Sequence, residues 1–270
     1  MKISVVTPTY NSAGTIRKNI ESVITQTYKD FEHILVDNVS SDDTLKIAKE
    51  IYSESGINKK LKIINEKDKG IADAFNKGIK TSRGEIIAIL NSDDYYLRPD
   101  IFEKVITQFR NEEILFVHGD ILFKDNVYGS NIRRPLPAKM MRGVIYNHPT
   151  MFVRRSLYNK IGLFNLDYKL SMDFEFYCRI AQNFDPDKIS AYLKDEPIVW
   201  MSSGGASWEN ELLSIEEIKK ALTFHQLWNS EGKKFYSTRI RRTKIKRILH
   251  SLKMDFIVRT WRNKKWGNKF

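Results

Sequence analysis

Residues 84–94 read GEIIAILNSDD, and this stretch sets a short apolar run directly against a group of polar side chains. The run 86–90 has the length and the β-branched content of a buried strand. Two adjacent carboxylates, Asp93 and Asp94, follow it. In open α/β sheets ligands bind beyond the carboxyl ends of the strands. The stretch therefore places a carboxylate pair where such a sheet would bind a ligand.

The chain before this stretch alternates strand and helix patterns. Strand patterns occur at 3–7, 33–37, 62–65 and 85–90, and helical patterns occur at 13–26, 40–52 and 71–79. Pro8 is expected to end the first strand, and Ser40 or Ser41 to cap the second helix. Strands and helices that alternate with short connections predict an α/β fold, with a mostly parallel central sheet flanked by helices.

Polar residues follow each predicted strand, so they should meet at one edge of the sheet. They are Thr7 to Asn11, Asp37 and Asn38, Asn65, and Asn91 to Asp94. Paired carboxylates suit Mg²⁺ or Mn²⁺, which proteins usually share with substrate phosphates. The alternative for the acidic pair, and for Asp37, is a polar turn or a helix cap. The first turn, PTYNSAG, lacks the glycine-rich dinucleotide and P-loop patterns, so a metal would have to neutralise a diphosphate.

The composition favours a protein without disulfides or membrane spans. Cys178 is the only cysteine and is expected to be a small core residue. No apolar run approaches the length of a membrane-spanning helix, and the start MKISVVTPTYN does not resemble a signal peptide. A cytoplasmic protein is the resulting expectation.

The positive charge is concentrated at the end of the chain. Residues 233–270 hold 14 of the 45 Lys and Arg and one of the 33 Asp and Glu, a net charge of +13. Residues 1–232 then carry −1. We therefore predict a domain over 1–232 and a basic extension over 233–270. A neutral body also argues against a nucleic-acid groove there.

Two long segments, SVVTPTYNSAGTIRKNIESVITQTYKDFEHILVDNVSSDDT (4–44) and KGIADAFNKGIKTSRGEIIAILNSDD (69–94), resemble the family 2 glycosyltransferases. A third, HPTMFVRRSLYNKIGLFNLDYKLSMDFEFYCRIA (148–181), is similar to the acceptor side of bacterial polysaccharide-assembly members. The resemblance implies the GT-A fold, with a nucleotide-sugar-binding half over 1–100 and an acceptor half over 101–232.

The resemblance also implies a role for each matching residue. The nucleotide-sugar positions are Pro8, Tyr10, Asn11, Asp37, Lys69, Asp73, Asn76, Asn91 and Ser92; the metal positions are Asp93 and Asp94; the acceptor-side positions are His148 and Arg154. Asp173 matches the catalytic base, with Glu175 as a rival and a helix N-cap as the alternative role. Asn91 replaces the first acid of the family's Asp-x-Asp motif.

The implied activity is an inverting transfer of one sugar from a nucleotide-diphosphate donor, with UDP expected, to a glycan or lipid-linked acceptor. The Gln-x-x-Arg-Trp motif of processive synthases is absent. Where some relatives place a late histidine, Gly204 and Gly205 predict either a loop that closes over the donor or a simple turn. A sugar nucleotidylyltransferase would need a glycine-rich first turn, and intact Asp93 and Asp173 argue against a non-catalytic sugar-nucleotide-binding protein.

The basic extension has the pattern of an amphipathic helix. Its apolar residues at helix spacing are Ile245, Ile248, Leu249, Leu252 and Phe256, and Trp261 and Trp266 follow. Such a helix can bind an anionic membrane surface, which would make the protein peripheral on the cytoplasmic face of the inner membrane. The alternative is that the apolar stripe packs on the body and leaves the charges in water.

Overall fold

The central sheet is built from the predicted alternation of strands and helices. The computed structural model describes residues 1–125, 129–136, 146–194, 196–203 and 210–266, and at 125, 259 and 262–266 it describes the backbone only. The strands are β1 Ile3–Thr9, β2 Phe31–Asp37, β3 Leu61–Asn65, β4 Ile86–Ile89, β5 Tyr95–Tyr96, β6 Phe116–Gly119, β7 Ile121–Asp125, β8 Gly129–Arg133, β9 Phe152–Arg154, β10 Ser190–Leu193 and β11 Val199–Ser202. The helices are α1 Ile16–Ile24, α2 Thr44–Glu54, α3 Ile71–Thr81, α4 Ile101–Gln108, α5 Arg155–Ile161, α6 Met172–Asn183, α7 Pro186–Ile189, α8 Glu211–Phe224, α9 Ser230–Ser251 and α10 Asp255–Trp266.

Seven strands of the described chain form one sheet in the order β10-β6-β9-β4-β1-β2-β3. β1 to β4 run parallel, and β9 lies antiparallel between β4 and β6. The register pairs Thr9 with Asp37 and Asp37 with Asn65, so these carboxyl ends finish level. A smaller sheet, β5-β11-β7-β8, adjoins it. The predicted mostly parallel α/β fold is confirmed.

Strand β1 continues to Thr9, so the expected end at Pro8 is wrong. The Val6 carbonyl accepts a hydrogen bond from Leu90 N at 3.0 Å, which shows that Val6 faces β4. Pro8, two residues on, has its nitrogen on the same side, where the β1–β4 pairing has already ended at Ile89. The missing N–H of Pro8 therefore removes no ladder hydrogen bond.

Each face of the sheet buries alternate residues of the same strands. Val6 packs with α3 on one face, and Val5 packs with α4 residues on the other. Helix α3 approaches β1 closely at Gly78, where an added Cβ would lie 2.1 Å from Val6 Cγ1. A glycine at this position therefore sets the distance between the helix and the sheet.

The basic extension begins inside a helix, because Gly232 lies within α9. Tyr236 is 1% exposed in the main core. Glu211 of α8 pairs with Arg239 at 3.3 Å and with Lys246 at 3.4 Å. The first part of α9 thus packs on the body, although the basic residues of the sequence begin at Lys233. None of the described helices is both long enough and apolar enough to cross a membrane.

Candidate active site

Asp37 ends β2 at the carboxyl edge of the sheet, and its side chain is buried. Its Oδ1 accepts hydrogen bonds from Thr9 Oγ1 at 2.8 Å and Ser40 Oγ at 2.6 Å, and its Oδ2 accepts one from Ser40 N at 2.8 Å. Ser40 therefore holds Asp37 rather than capping α2, which begins at Thr44. Acceptor capacity remains on Oδ2 for a ligand N–H or hydroxyl.

Two non-glycine residues with positive φ shape the loops beside Asp37. They are Asn11, with φ 47°, and Val39, with φ 55°. Asn11 N donates to Ser40 Oγ, and Asn11 Oδ1 accepts from Ser41 N, both at 2.9 Å, so the two loops are cross-linked. The side chain of Tyr10 is 62% exposed at this edge. The exposed aromatic ring of Tyr10 therefore follows directly after Thr9, whose hydroxyl donates to the buried Asp37 carboxylate.

The turn 91–94 is tied to helix α1 and to the first loop. Asn19 Nδ2 donates to the carbonyls of Asn91 at 2.8 Å and Asp94 at 3.0 Å. Ser92 Oγ lies 2.8 Å from Ser12 Oγ. These contacts fix the position of the acidic pair relative to β1.

The two carboxylates of the turn have different surroundings. Asp94 is 1% exposed, and its Oδ2 accepts a hydrogen bond from Asn91 Nδ2 at 3.2 Å. Burial, followed by the charge of Asp93, raises the pKa of Asp94 well above its ordinary value. Asp93 is partly exposed, and partial burial raises its pKa too. Of the two predicted metal positions, Asp93 is the more exposed.

The donor set fits a divalent ion that is completed by a ligand. No group of three or more His, Cys, Asp or Glu side chains able to hold a metal occurs in the part of the chain that the structure describes. Mg²⁺ and Mn²⁺ often take one or two carboxylates and fill their remaining positions with phosphate oxygens and water. Asn91 Oδ1 is buried without a hydrogen-bond partner in the same turn as Asp93. A cation there would offset the desolvation of Asp93.

Asp173 lies in the first turn of α6, and its residue is partly exposed. Its Oδ1 accepts a hydrogen bond from Phe174 N at 2.8 Å. Burial of the carboxyl group raises the pKa of Asp173 to about 6, and the charge of Glu217 adds to this. A carboxylate with a pKa close to neutral can accept a proton in a reaction at physiological pH.

A small cavity of about 10 Å³ lies between the end of β4 and helix α6. Ile89, at the end of β4, and Tyr177, on α6, both line it. Ile89 precedes Asp93 by four residues, and Tyr177 follows Asp173 by four. The second turn of α6 therefore lies across this cavity from the end of β4.

The family model described as Glycosyl transferase family 2 matches residues 4–180, which include the sheet edge, the acidic turn and the start of α6. The chain belongs to this family. It is 29% identical over 218 residues to a PGL/p-HBAD biosynthesis glycosyltransferase of Mycobacterium bovis, covering 80% of this chain and 82% of that protein. It is 30% identical over 186 residues to chondroitin synthase of Escherichia coli, covering 67% of this chain but 26% of the synthase.

Solved glycosyltransferases share the fold. S. aureus TarS 1-349, in complex with UDP-GlcNAc, superposes with a TM-score of 0.65 at 22% identity, covering 83% of this chain and 65% of that chain. The mannosyltransferase PcManGT of Pyrobaculum calidifontis, in complex with GDP-Man and Mn²⁺, gives 0.60 at 15% identity, covering 99% and 88%. At these identities the likeness establishes the GT-A fold of this glycosyltransferase.

The segment predicted to contact the donor sugar is held by its own side chains. Asp73 Oδ2 accepts from Lys69 N at 3.0 Å and lies 3.5 Å from Lys77 Nζ. The side chain of Lys69 is exposed. Asn76 is buried and forms two hydrogen bonds with the backbone of Phe164, of 2.8 and 3.0 Å. Asn76 therefore ties α3 to the segment between α5 and α6.

The two acceptor-side candidates lie in different places. His148 is buried and stacks on Phe75 with ring centroids 5.3 Å apart, and burial lowers its pKa to about 4, so it is neutral. Arg154 pairs with Ile86 at the start of β4, the opposite edge of the sheet, and its guanidinium binds carbonyls there. The structure therefore does not bring Arg154 to the candidate site. Gly204 and Gly205 lie outside the described residues.

Glu175, the rival base, is occupied by a buried ion network. Its carboxylate receives Arg179 Nε and Nη2 at 2.9 to 3.1 Å, and it lies 3.0 Å from His225 Nε2. A carboxylate bound on both oxygens is poorly suited to reach a substrate proton. The packing favours Asp173 over Glu175.

Three residues of the site were not identified from the sequence. Asn19 lies in the buried stripe of α1 next to Ile20, so a polar residue within an apolar period was the available signal. Lys77 Nζ binds Glu66 at 2.9 Å and secures the loop before α3. Glu217 binds the turn before α6 from 46 positions or more along the chain, and no local pattern reveals that contact.

Proposed function

We propose that this glycosyltransferase transfers a single sugar, with inversion of configuration, from a nucleotide-diphosphate sugar to a hydroxyl group of a glycan or lipid-linked acceptor. The supporting observation is the placement of Asp173 on α6, which shares a small cavity with Ile89, four residues before Asp93; burial of the Asp173 carboxyl group raises its pKa to about 6. Asp173 can then accept the proton of the acceptor hydroxyl, while Asp93 binds the diphosphate through a metal.

The donor side is proposed from the exposed ring and the fixed carboxylate. Tyr10 can stack on a nucleobase, and Asp37 can accept from a base N–H or a ribose hydroxyl. UDP is the proposed carrier, because TarS, at the higher TM-score, was solved with UDP-GlcNAc and with UDP. PcManGT holds GDP-Man, so GDP is the alternative.

The proposed chemistry follows from these positions. Asp173 accepts the proton of the acceptor hydroxyl as its oxygen attacks the anomeric carbon, and the bond from that carbon to the diphosphate oxygen breaks. Attack from the face opposite the leaving diphosphate inverts the configuration. A divalent ion, Mn²⁺ or Mg²⁺, held by Asp93 would stabilise the charge of the departing diphosphate. Asn91 and Ser92 hold the turn in place for this contact.

The experiment is nucleotide release from a panel of UDP, GDP and dTDP sugars, with and without Mn²⁺ or Mg²⁺, in the presence of saccharide and lipid-linked acceptors. The proposal expects release that depends on one class of donor, on the metal and on an acceptor. Release unaffected by a chelator, or absent with every donor while the folded protein binds no nucleotide sugar, contradicts it.

We further propose that the extension contacts an anionic membrane surface. Ile245, Ile248, Leu252 and Phe256 are 49 to 63% exposed, so the structure leaves this apolar stripe in solvent. Residues 233–270 contain fourteen Lys and Arg in the sequence. Apolar side chains among bases suit a bilayer interface, where each nearby cation contributes about 1 kcal/mol. A lipid-linked acceptor would also lie at such a surface.

The test is sedimentation with phosphatidylglycerol-containing vesicles. Truncation at Gly232 would also remove the buried Tyr236, so point variants are preferable. Leu252→Ser combined with Phe256→Ser should weaken binding, whereas the control Phe224→Ser, at a 74% exposed position outside the extension, should not. Binding should also weaken with salt. A full-length protein that ignores anionic vesicles at low salt contradicts the proposal.

A further inference from the structure

The turn before α6, residues 169–171, is held by one carboxylate from helix α8. Glu217 of α8 is buried, and its Oε1 accepts a hydrogen bond from Lys169 N at 2.9 Å. Its Oε2 accepts from Leu170 N at 2.8 Å and from Ser171 N at 2.9 Å. Three consecutive N–H groups on one carboxylate form charge-assisted hydrogen bonds. This contact fixes the backbone immediately before α6.

A second residue of α8 supports the same turn. Ser171 Oγ donates to the Ser214 carbonyl at 3.1 Å and lies 2.9 Å from Ser214 Oγ. Ser214 and Glu217 are three residues apart, so they lie on the same face of α8. Asp173 lies two residues after Ser171. Its position therefore depends on the contacts of Ser171 with Ser214 and Glu217.

We infer that Glu217 is a positioning residue for the proposed base, because its carboxylate fixes the backbone from which Asp173 projects. The negative charge of Glu217 also raises the pKa of Asp173, after the larger effect of burial. The inference rests on the proposed function, which assigns Asp173 as the base. Glu217 itself touches backbone N–H groups rather than substrate.

The other titratable groups near Asp173 are either neutral or paired with an opposite charge. The Tyr177 phenol lies on the same helix, and Tyr146 packs against it. Tyr158 lies beside Tyr177 from α5. Burial raises the pKa of all three phenols, so they stay neutral at physiological pH. Glu175 and Arg179, further along α6, neutralise each other. Within the described residues, Glu217 is thus the charge that acts on Asp173.

The test compares Glu217→Gln with Glu216→Gln, the same chemical change at an exposed position of the same helix. Removing the Glu217 charge lowers the pKa of Asp173, so the acid limb of the kcat–pH profile should move to lower pH. Because the turn also loses an acceptor, kcat at the plateau should fall roughly 10- to 100-fold with the donor KM kept. Glu216→Gln should match the wild type in both.

Glu217→Asp separates charge from geometry and serves if the Gln variant fails to fold. It keeps the charge but shortens the side chain, so kcat should fall while the acid limb stays at the wild-type pH. A folded Glu217→Gln enzyme with an unmoved acid limb overturns the inference, and so does a Glu217→Asp enzyme with wild-type kcat. If Asp173→Asn transfers sugar at the wild-type rate, the proposed base itself is wrong, whatever the Glu217 variants show.

Discussion

Replacing Asp173 with Asn should stabilise the fold while it removes activity. Burial raises the pKa of Asp173 from 3.8 to about 6, so the folded protein disfavours the ionised carboxylate. A shift of about 2 units corresponds to about 3 kcal/mol of free energy between the two protonation states. Asn has the same shape and no charge, so the variant avoids this destabilisation.

The raised pKa of Asp173 makes the stability difference between the wild type and Asp173→Asn depend on pH. The folded pKa of Asp173 lies above the unfolded value, so the folded state binds the proton more tightly. At pH values below about 4 both states are protonated, and the wild type and the variant should differ little. Between about pH 4 and pH 6 the wild type should lose up to about 3 kcal/mol relative to Asp173→Asn, and the difference should then stay constant.

The assay is urea unfolding of the wild type, Asp173→Asn and the exposed control Asp167→Asn at several pH values from 4 to 8. Sugar transfer by Asp173→Asn should fall by roughly 10²- to 10⁴-fold, the range typical of general-base loss. A stability difference that does not change with pH, or equals that of the control, refutes the account of the raised pKa. Wild-type transfer by the variant refutes the role as base.

Three further predictions concern stability and are measured as shifts in the urea unfolding midpoint. Gly78→Ala should destabilise by about 1–3 kcal/mol, because its Cβ would lie 2.1 Å from Val6 Cγ1, whereas Gly14→Ala, with no atom within 4 Å, should not destabilise. Asn76→Ala should lose about 2–3 kcal/mol with its two buried hydrogen bonds, and an unchanged midpoint would contradict its bridging role. Val39→Gly should gain about 1 kcal/mol, because it relieves a positive φ; a loss would show that no strain is stored there.

The sheet edge was predictable because its signals are local. The strands β1 to β4 and the helices between them appear as apolar periods interrupted by polar residues, and short connections set their parallel order. The antiparallel pairing of β9 was not predictable, because residues 152–154 pair with Ile87 and Phe116 across long stretches of chain. Pairing between distant segments leaves no periodic signal in either one.

The candidate site was predictable by residue type but not by orientation. The acidic turn was located from its place after β4, yet the sequence does not show that Asp94 is buried and Asp93 partly exposed. The position of Arg154 was not predictable either. It lies at the start of β4, away from the candidate site, because β9 runs antiparallel to β4. The boundary near Gly232 was predicted from charge alone, and charge marks where the basic residues begin rather than where helix α9 begins or where its packing stops.

The central claim is that Asp93 binds the donor through a divalent metal and that Asp173 accepts the proton of the acceptor hydroxyl. Titration calorimetry of a UDP-sugar with Mn²⁺ tests this claim most directly. The measurement compares the wild type, Asp93→Ala and Asp173→Asn, each with and without the metal. The account predicts that Asp93→Ala loses metal-dependent donor binding, while Asp173→Asn keeps the wild-type affinity. Unchanged affinity in Asp93→Ala, or lost binding in a folded Asp173→Asn, contradicts that division of roles.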